Sequence, residues 1–218
     1  MRVAIFDLDG TVADSDCFLE YFYRQIGKVC LGVDNFKMPE EMDKKIRTCT
    51  MLEAARIIKE YISIDEPEDK FFSFCNGLLE KFYRESVTAK CGIPELLLSL
   101  SKKGIRMCIA SATQGRLVKI ALEKMNLSTY FDFVISCADV GVGKHRPDVF
   151  LEALKRFGED LAPSDACVFE DSFLAMETAK AAGFMTVGIY DKDAFCQDRL
   201  AAASDVYIDS SADFSILF

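Results

Sequence analysis

The 218-residue sequence has a single histidine, His145, and no tryptophan. Serine or cysteine catalysis that depends on a histidine base would therefore have to use His145 itself. The nine cysteines include no C-x-x-C pair and lie near no histidine cluster, so the ligand spacing of a structural zinc site is missing too. Any chemistry is then expected from carboxylates, lysine, hydroxyl groups and a hard metal ion.

Basic residues are in deficit, with 26 Lys and Arg against 35 Asp and Glu and a formal net charge of −9. Proteins that bind nucleic acids or anionic membranes use a basic surface, so we expect neither partner. No uncharged apolar stretch approaches the roughly 18 residues of a membrane span. The apolar run at the N-terminus meets Asp7 too early for a signal peptide. We therefore expect a cytoplasmic, monomeric protein with reduced cysteines.

Short apolar runs recur along the chain and are typical of buried strands in a parallel sheet. They cover 3–6, 107–110, 133–136, 166–169 and 186–189, with 206–208 as a sixth candidate. Helix-like segments separate the later runs, and Gly104 and Gly183 follow two of them, where helix C-caps favour glycine. This alternation predicts βαβ units, and hence an α/β fold with a Rossmann-like, doubly wound parallel sheet.

One stretch interrupts this alternation directly after the first strand. Between Ser15 and Thr88 the sequence shows amphipathic helical patterns and no convincing strand. We therefore predict an α/β core domain formed by residues 1–14 and 89–218, with an all-α domain inserted at 15–88. Hinges between the two domains are expected near Asp14 and Thr88.

Polar residues gather where the predicted strands end. They are Asp7, Asp9 and Thr11 after the first strand, Ser111 and Thr113 after the second, Lys144 beyond the loop 139–143 that follows the third, and Glu170 and Asp171 after the fourth. Ligands of open α/β sheets bind beyond the carboxyl ends of the strands, so these side chains are expected to share one crevice. Carboxylates suit Mg²⁺, and a lysine with hydroxyl groups suits phosphate, which predicts a hard-cation site beside a phosphate site.

The same residues follow the order of the four motifs of the haloacid dehalogenase (HAD) superfamily. The matching positions are Asp7-x-Asp9-Gly10-Thr11, Ser111 at the end of an apolar strand, Lys144 ahead of Pro147-Asp148, and Glu170-Asp171-Ser172. The sequence most resembles the phosphatase and β-phosphoglucomutase branch, in which a helical cap lies between the first and second motifs. This resemblance covers essentially the whole core and implies a HAD-like phosphoric monoester hydrolase.

The resemblance implies catalytic roles for two aspartates and a magnesium site. Asp7 would attack phosphorus to give an aspartyl-phosphate, and Asp9 would protonate the leaving oxygen and then activate water. The Asp7 and Asp171 side chains, together with the Asp9 backbone carbonyl, would hold Mg²⁺. Glu170 would act on the metal mainly through water.

The resemblance also implies a set of phosphate contacts. Ser111 and Lys144 would bind phosphoryl oxygens, and the lysine would also offset charge between the nucleophile and the phosphate. Backbone N–H groups around Gly10 and at Ala112 would complete the anion cradle. Thr113 is a further candidate for contacting the substrate.

The core motifs leave the substrate and the type of phosphoryl transfer open. A phosphatase acting on a sugar phosphate or a phosphoglycolate-like metabolite is favoured over a β-phosphoglucomutase. The reason is that the cap stretch 44–50 lacks the Lys-Gly-x-Ser-Arg pattern that such mutases use for the distal phosphate. Lys45 and Arg47 are candidates for contacting the substrate, although a solvated helix face is the favoured interpretation. A non-catalytic metal- or phosphate-binding protein is the third alternative, and the complete motif set disfavours it.

Overall fold

The computed structural model describes residues 1–15, 17–46, 51–158, 160–192 and 196–214. Contacts divide the chain into two compact units. One consists of Met1–Asp16 with Val87–Phe218, and we name it the sheet unit. The other consists of Cys17–Ser86, and we name it the helical unit.

The helical unit contains α1 (Phe18–Ile26), a π-helical turn (Gly27–Leu31), α2 (Glu40–Ile46), α3 (Met51–Tyr61) and α4 (Glu68–Glu85). Aromatic and aliphatic side chains from these helices, such as Phe22, Ile58 and Phe71, are buried in one common cluster. The amphipathic patterns of the sequence arise from this one-sided burial. No strand occurs in the part of this unit that the structure describes.

The strands of the sheet unit are β1 (Val3–Phe6), β2 (Ala13–Asp14), β3 (Thr88–Ala89), β4 (Arg106–Ser111), β5 (Phe133–Ser136), β6 (Ala166–Glu170), β7 (Met185–Ile189) and β8 (Val206–Ile208). Six of them form a parallel sheet in the order β5-β4-β1-β6-β7-β8. Every residue of β1 and β6 is buried, which explains why these strands read as continuous apolar runs. The predicted parallel α/β fold is confirmed.

Helices cover this sheet. They are α5 (Ile93–Lys102), α6 (Gly115–Lys124), α7 (Cys137–Val140), α8 (Asp148–Phe157), α9 (Phe173–Ala181) and α10 (Gln197–Ala203). Side chains of α8 and α9 pack against the central strands in a buried cluster that includes Ile5, Ala110, Phe150, Val168 and Ala179. Among the described helices of both units, none combines the length and the apolar character that a membrane crossing requires.

The predicted loop over 139–143 is partly helical. The Ser136 N–H donates a hydrogen bond to Asp139 Oδ2 at 2.8 Å, and together these residues form a capping box at the start of α7. Gly141, with φ +79°, ends the helix in the left-handed conformation that glycine favours. Lys144 is therefore connected to a capped helical turn by only a few residues.

A short antiparallel pair lies where the chain leaves and re-enters the sheet unit. Ala13 of β2 is opposite Ala89 of β3, and Asp14 is opposite Thr88. Both predicted hinges fall on residues of this pair. Hinge motion at these positions stays a prediction.

Candidate active site

The first loop, residues 7–13, leaves the central strand β1 and folds back on itself. The Leu8 carbonyl accepts a hydrogen bond from the Ala13 N–H at 2.7 Å. Gly10 has φ +76°, and a Cβ atom there would lie 2.5 Å from Asp171 Oδ2. Both the conformation and the available space therefore require glycine at this position.

Asp7, Glu170 and Asp171 come together at the carboxyl ends of β1 and β6. The two strands are parallel neighbours with Phe6 opposite Phe169, which places the residues that follow them side by side. Each of the three carboxyl groups offers an oxygen, and these oxygens all lie within 4.8 Å of one another. Carboxylate oxygens are the donors that Mg²⁺ prefers, so this donor set fits the predicted ion.

The Lys144 ammonium group contacts this cluster. It donates hydrogen bonds to Asp7 Oδ1 and to Glu170 Oε1, the second at 2.6 Å. Its side chain is only 11% exposed, and Nζ lies 5.8 Å from the centroid of the Phe150 ring. Lys144 is thus held where it can meet an anionic group bound to Asp7.

Burial and mutual repulsion change the pKa values of these groups. Burial raises the pKa of Glu170 to about 7, with Lys144 opposing the shift and Asp7 adding to it. Burial also raises the pKa of Asp171 well above its ordinary value, and the charges of Glu170 and Asp7 raise it further. Burial alone would lower the pKa of Lys144, but the carboxylates of Asp7 and Glu170 raise it above its ordinary value. One ammonium group does not balance three carboxylates, and a divalent cation would.

Asp9 lies outside the three-carboxylate cluster. Its side chain is partly exposed, and its Oδ2 accepts a hydrogen bond from the Thr113 hydroxyl at 2.8 Å. An acid that gives and then takes a proton has to keep its side chain off the metal, so this separation is compatible with the role that the resemblance implies. Thr113, predicted as a substrate contact, is placed against the Asp9 carboxylate.

Ser111 and Ala112 lie at the end of β4, next to the first loop. β4 is the other parallel neighbour of β1, with Ile109 opposite Phe6. Ser111 is buried, and its Oγ accepts a hydrogen bond from the Thr113 N–H at 3.0 Å. Ala112 is exposed. The predicted phosphate-binding residues of this strand therefore share the sheet edge at which the carboxylates meet.

Of the two candidates in the predicted cap, Lys45 and Arg47, the structure describes only Lys45. Lys45 belongs to α2 of the helical unit, where its side chain is exposed. The neighbouring Lys44 pairs with Glu40 one helical turn earlier, at 2.6 Å, as is typical of a solvated helix face. Arg47 lies outside the described residues. Substrate contacts from Lys45 and Arg47 stay predictions.

Two charged residues beside the first loop were not predicted from the sequence. Lys90 follows β3, and its ammonium group donates hydrogen bonds to the Gly10 carbonyl and to Asp191 Oδ2, the second at 2.7 Å. Asp191 follows β7 and is buried. The rule that polar residues at strand ends form the site was applied to the first four apolar runs only. The same rule applied to the fifth run, 186–189, would have found Asp191. No sequence pattern singles out Lys90.

The sequence as a whole is similar to proteins of a known family. The sequence matches the family model described as haloacid dehalogenase-like hydrolase over residues 4–189. It is 26% identical over 185 residues to the phosphorylated carbohydrates phosphatase of Thermotoga maritima, with 84% of this chain and 82% of the relative covered. It is 30% identical over 218 residues to (DL)-glycerol-3-phosphatase 2 of Arabidopsis thaliana, with 96% of this chain and 87% of the relative covered.

A solved structure has a similar fold. A Thermotoga maritima protein provisionally assigned as a β-phosphoglucomutase superposes with a TM-score of 0.82 at 25% sequence identity, covering 96% of this chain and 94% of the other. The phosphatase relatives support the class of phosphoric monoester hydrolases. Since the family match spans the chain from β1 to the end of β7, the protein belongs to the haloacid dehalogenase-like hydrolases.

Proposed function

We propose that the protein is a Mg²⁺-dependent phosphatase that hydrolyses a small phosphorylated metabolite through an aspartyl-phosphate on Asp7. The observation that carries this proposal is the meeting of Asp7, Glu170 and Asp171 within 4.8 Å, with the Lys144 ammonium group bonded to the first two. A nucleophilic carboxylate, a hard-cation donor set and a buried cation are the parts that phosphoryl transfer needs.

The residues of the chain have distinct tasks in this proposal. Asp7 attacks phosphorus, and Lys144 holds the Asp7 carboxylate and meets the charge of the phosphoryl oxygens. Asp9, oriented by the Thr113 hydroxyl, protonates the leaving oxygen and later takes a proton from the attacking water. Mg²⁺, held by the carboxylates of Asp7 and Asp171, would supply Lewis-acid stabilisation of the transferring group.

The substrate class follows from the relatives and from the charge of the chain. Two relatives are named as phosphatases of phosphorylated carbohydrates and of glycerol 3-phosphate. A net charge of −9 supports a small-molecule substrate in preference to a nucleic acid or an anionic membrane. We propose a sugar phosphate or a phosphoglycolate-like metabolite, selected by the helical unit acting as the cap that the sequence predicts.

A metal-removal experiment tests this function. Turnover on a panel of sugar phosphates, phosphoglycolate, glycerol phosphate and nucleotides should disappear in excess EDTA and return with Mg²⁺. Mg²⁺ alone should also raise the Tm of the unliganded protein, because a cation relieves repulsion among Asp7, Glu170 and Asp171. The Asp7→Asn variant is the control and should stay inactive with metal. Full turnover in excess EDTA would rule out the metal site.

A further inference from the structure

A second lysine–carboxylate pair lies next to the first loop. The Lys90 and Asp191 side chains are 16% and 5% exposed, and Nζ and Oδ2 are 2.7 Å apart. Burying two charges has a desolvation cost that often exceeds their attraction, so such a pair is weak evidence of a role in stability. Its position beside the loop that carries both proposed catalytic aspartates favours a role in the reaction.

Lys90 holds the first loop at two carbonyl groups. Its backbone N–H donates a hydrogen bond to the Val12 carbonyl at 2.9 Å, which extends the pairing of β2 with β3 by one residue. Its ammonium group donates to the Gly10 carbonyl. A single residue therefore fixes both the path of this segment and the orientation of the Gly10 carbonyl.

Asp191 links the same loop to a carboxylate of the proposed metal site. A Cβ atom on Gly10 would lie 3.0 Å from Asp191 Oδ2 and 2.5 Å from Asp171 Oδ2, so both carboxylates face this glycine. Lys90 supplies the positive charge that balances Asp191 beside Asp171.

We propose that Lys90 and Asp191 form a positioning pair for phosphoryl transfer, in which Lys90 fixes the Gly10 carbonyl and balances the charge of Asp191 beside Asp171. This inference rests on the proposed phosphatase function and adds two residues to it. The pair acts through the first loop and not through contact with the substrate. A displacement of about 1 Å at a reacting group lowers turnover roughly 10²-fold, so kcat should fall while KM changes little.

The main variant is the double replacement Lys90→Met with Asp191→Asn. It removes both charges together and so avoids the unpaired buried charge that either single replacement leaves. We expect a folded protein whose kcat on p-nitrophenyl phosphate is about 10- to 100-fold lower, with KM within about threefold of the wild-type value. The single replacement Lys90→Arg keeps a cation within reach of both acceptors, so this variant should retain most of the wild-type kcat.

Lys180 offers a control in a more exposed pair, whose two side chains are both 44% exposed. Its ammonium group has the same kinds of partner, the Ala203 carbonyl at 2.7 Å and Asp205 Oδ1 at 2.9 Å. Asp205 bonds to Thr186 near the start of β7, whereas Asp191 follows the end of that strand. Lys180→Met should therefore leave both kcat and KM unchanged.

Hydrogen exchange tests the loop without any need for turnover. The N–H groups of residues 10–13 are all hydrogen-bonded within the loop. In the metal-free protein they should exchange at least about tenfold faster in the double variant than in the wild type, and Lys180→Met should not change them. Unchanged exchange, or a kcat within about twofold of wild type in the double variant, would overturn the positioning role. Faster exchange combined with a wild-type protein that hydrolyses no phosphate ester would refute only the proposed function.

Discussion

Asp7 and Asp9 are two positions apart in the sequence, but their side chains have different surroundings. Asp7 is 8% exposed and contacts the Lys144 ammonium group. Asp9 is more accessible, and a neutral hydroxyl, that of Thr113, donates to it. A carboxylate held by a lysine ammonium group is positioned for nucleophilic attack, whereas a carboxylate beside a hydroxyl and solvent is placed to exchange a proton.

Replacing Asp9 with Asn should separate these two roles. Asn can still accept the hydrogen bond from Thr113, but it can neither give nor take the required proton. We expect kcat/KM, which reports formation of the aspartyl-phosphate and release of the leaving group, to fall roughly 10²–10⁴-fold on an alkyl phosphate and less on p-nitrophenyl phosphate, whose leaving group needs no protonation. Steady-state kinetics on both substrates measure this difference. An equal loss on the two substrates would contradict the acid role.

The Lys144 ammonium group offsets part of the negative charge of the carboxylate cluster. Lys144→Met would leave Asp7 and Glu170 buried without their cation, and removing one partner of a buried ion pair costs about 3–5 kcal/mol. The free energy of unfolding of the metal-free protein, measured in urea, should fall by about this amount. Mg²⁺ should restore part of the lost stability, because it replaces the missing positive charge.

Arg146 is the control for this variant. Its pair with Asp148 joins side chains that are 63% and 36% exposed, so Arg146→Met should cost less than about 1 kcal/mol. A similar loss in both variants would mean that burial of the Lys144 contacts does not determine their strength.

At the scale of single residues, the sequence predicts the site residues that directly follow apolar strands better than it predicts contacts between loops. Asp7, Ser111 and Glu170 each follow an apolar run, and the parallel sheet brings them to one edge. The contact between Thr113 and Asp9 was not predicted, because it depends on side-chain orientations across two loops. Lys90 was missed for a similar reason, since its contact with Gly10 depends on the pairing of β2 with β3.

At the scale of elements, burial on both faces made the strands predictable. Central strands such as β1 and β6 have no solvent-facing side, so their sequences lack alternation and consist of apolar runs. α7 was missed because a helix of four residues shows no periodicity. Its capping box, Ser136 with Asp139, was the available signal, and the pattern of a hydroxyl residue followed three positions later by an acid predicts a helix start.

The turn at Gly10 supplies a prediction about the first loop. Gly10→Ala should lower the free energy of unfolding by about 1–2 kcal/mol, which is the cost of alanine in the left-handed conformation. It should also displace Asp171, since the new Cβ would lie 2.5 Å from Oδ2. Gly104→Ala is the matched control, because Gly104 has φ +73° and no atom within 4 Å of its would-be Cβ. Urea unfolding and the Mg²⁺-dependent rise in Tm measure the two effects. We expect both variants to be destabilised and only Gly10→Ala to lose the response to Mg²⁺.

At the scale of the whole molecule, we expect the sheet unit to perform the chemistry and the helical unit to determine which reaction follows. The sheet unit contains the residues proposed for chemistry, and these are common to hydrolysis and to transfer within a sugar phosphate. A mutase has to hold a bisphosphate and present either end to the nucleophile, which requires contacts to the distal phosphate. We therefore expect the choice between the two reactions to depend on the helical unit.

The helical unit offers little evidence of a second phosphate anchor. The stretch 44–50 lacks a glycine and a serine–arginine pair, and no glycine occurs between Gly32 and Gly77. Lys44 is paired with Glu40. Lys45 lies on the same helix with an exposed side chain and stays a candidate. Transfer to water needs no second anchor, so we expect hydrolysis to be the main reaction.

Supplying β-glucose 1-phosphate with a trace of the corresponding bisphosphate distinguishes the two reactions. We expect inorganic phosphate to form faster than glucose 6-phosphate, because transfer to water needs no anchor for the distal phosphate and the stretch 44–50 lacks the Lys-Gly-x-Ser-Arg pattern. Lys45→Met, compared with Lys44→Met as its neighbour on the same helix, tests the remaining candidate: a KM that rises only in Lys45→Met would assign substrate binding to that side chain. Rapid isomerisation with little release of phosphate would reverse the choice and make the protein a mutase.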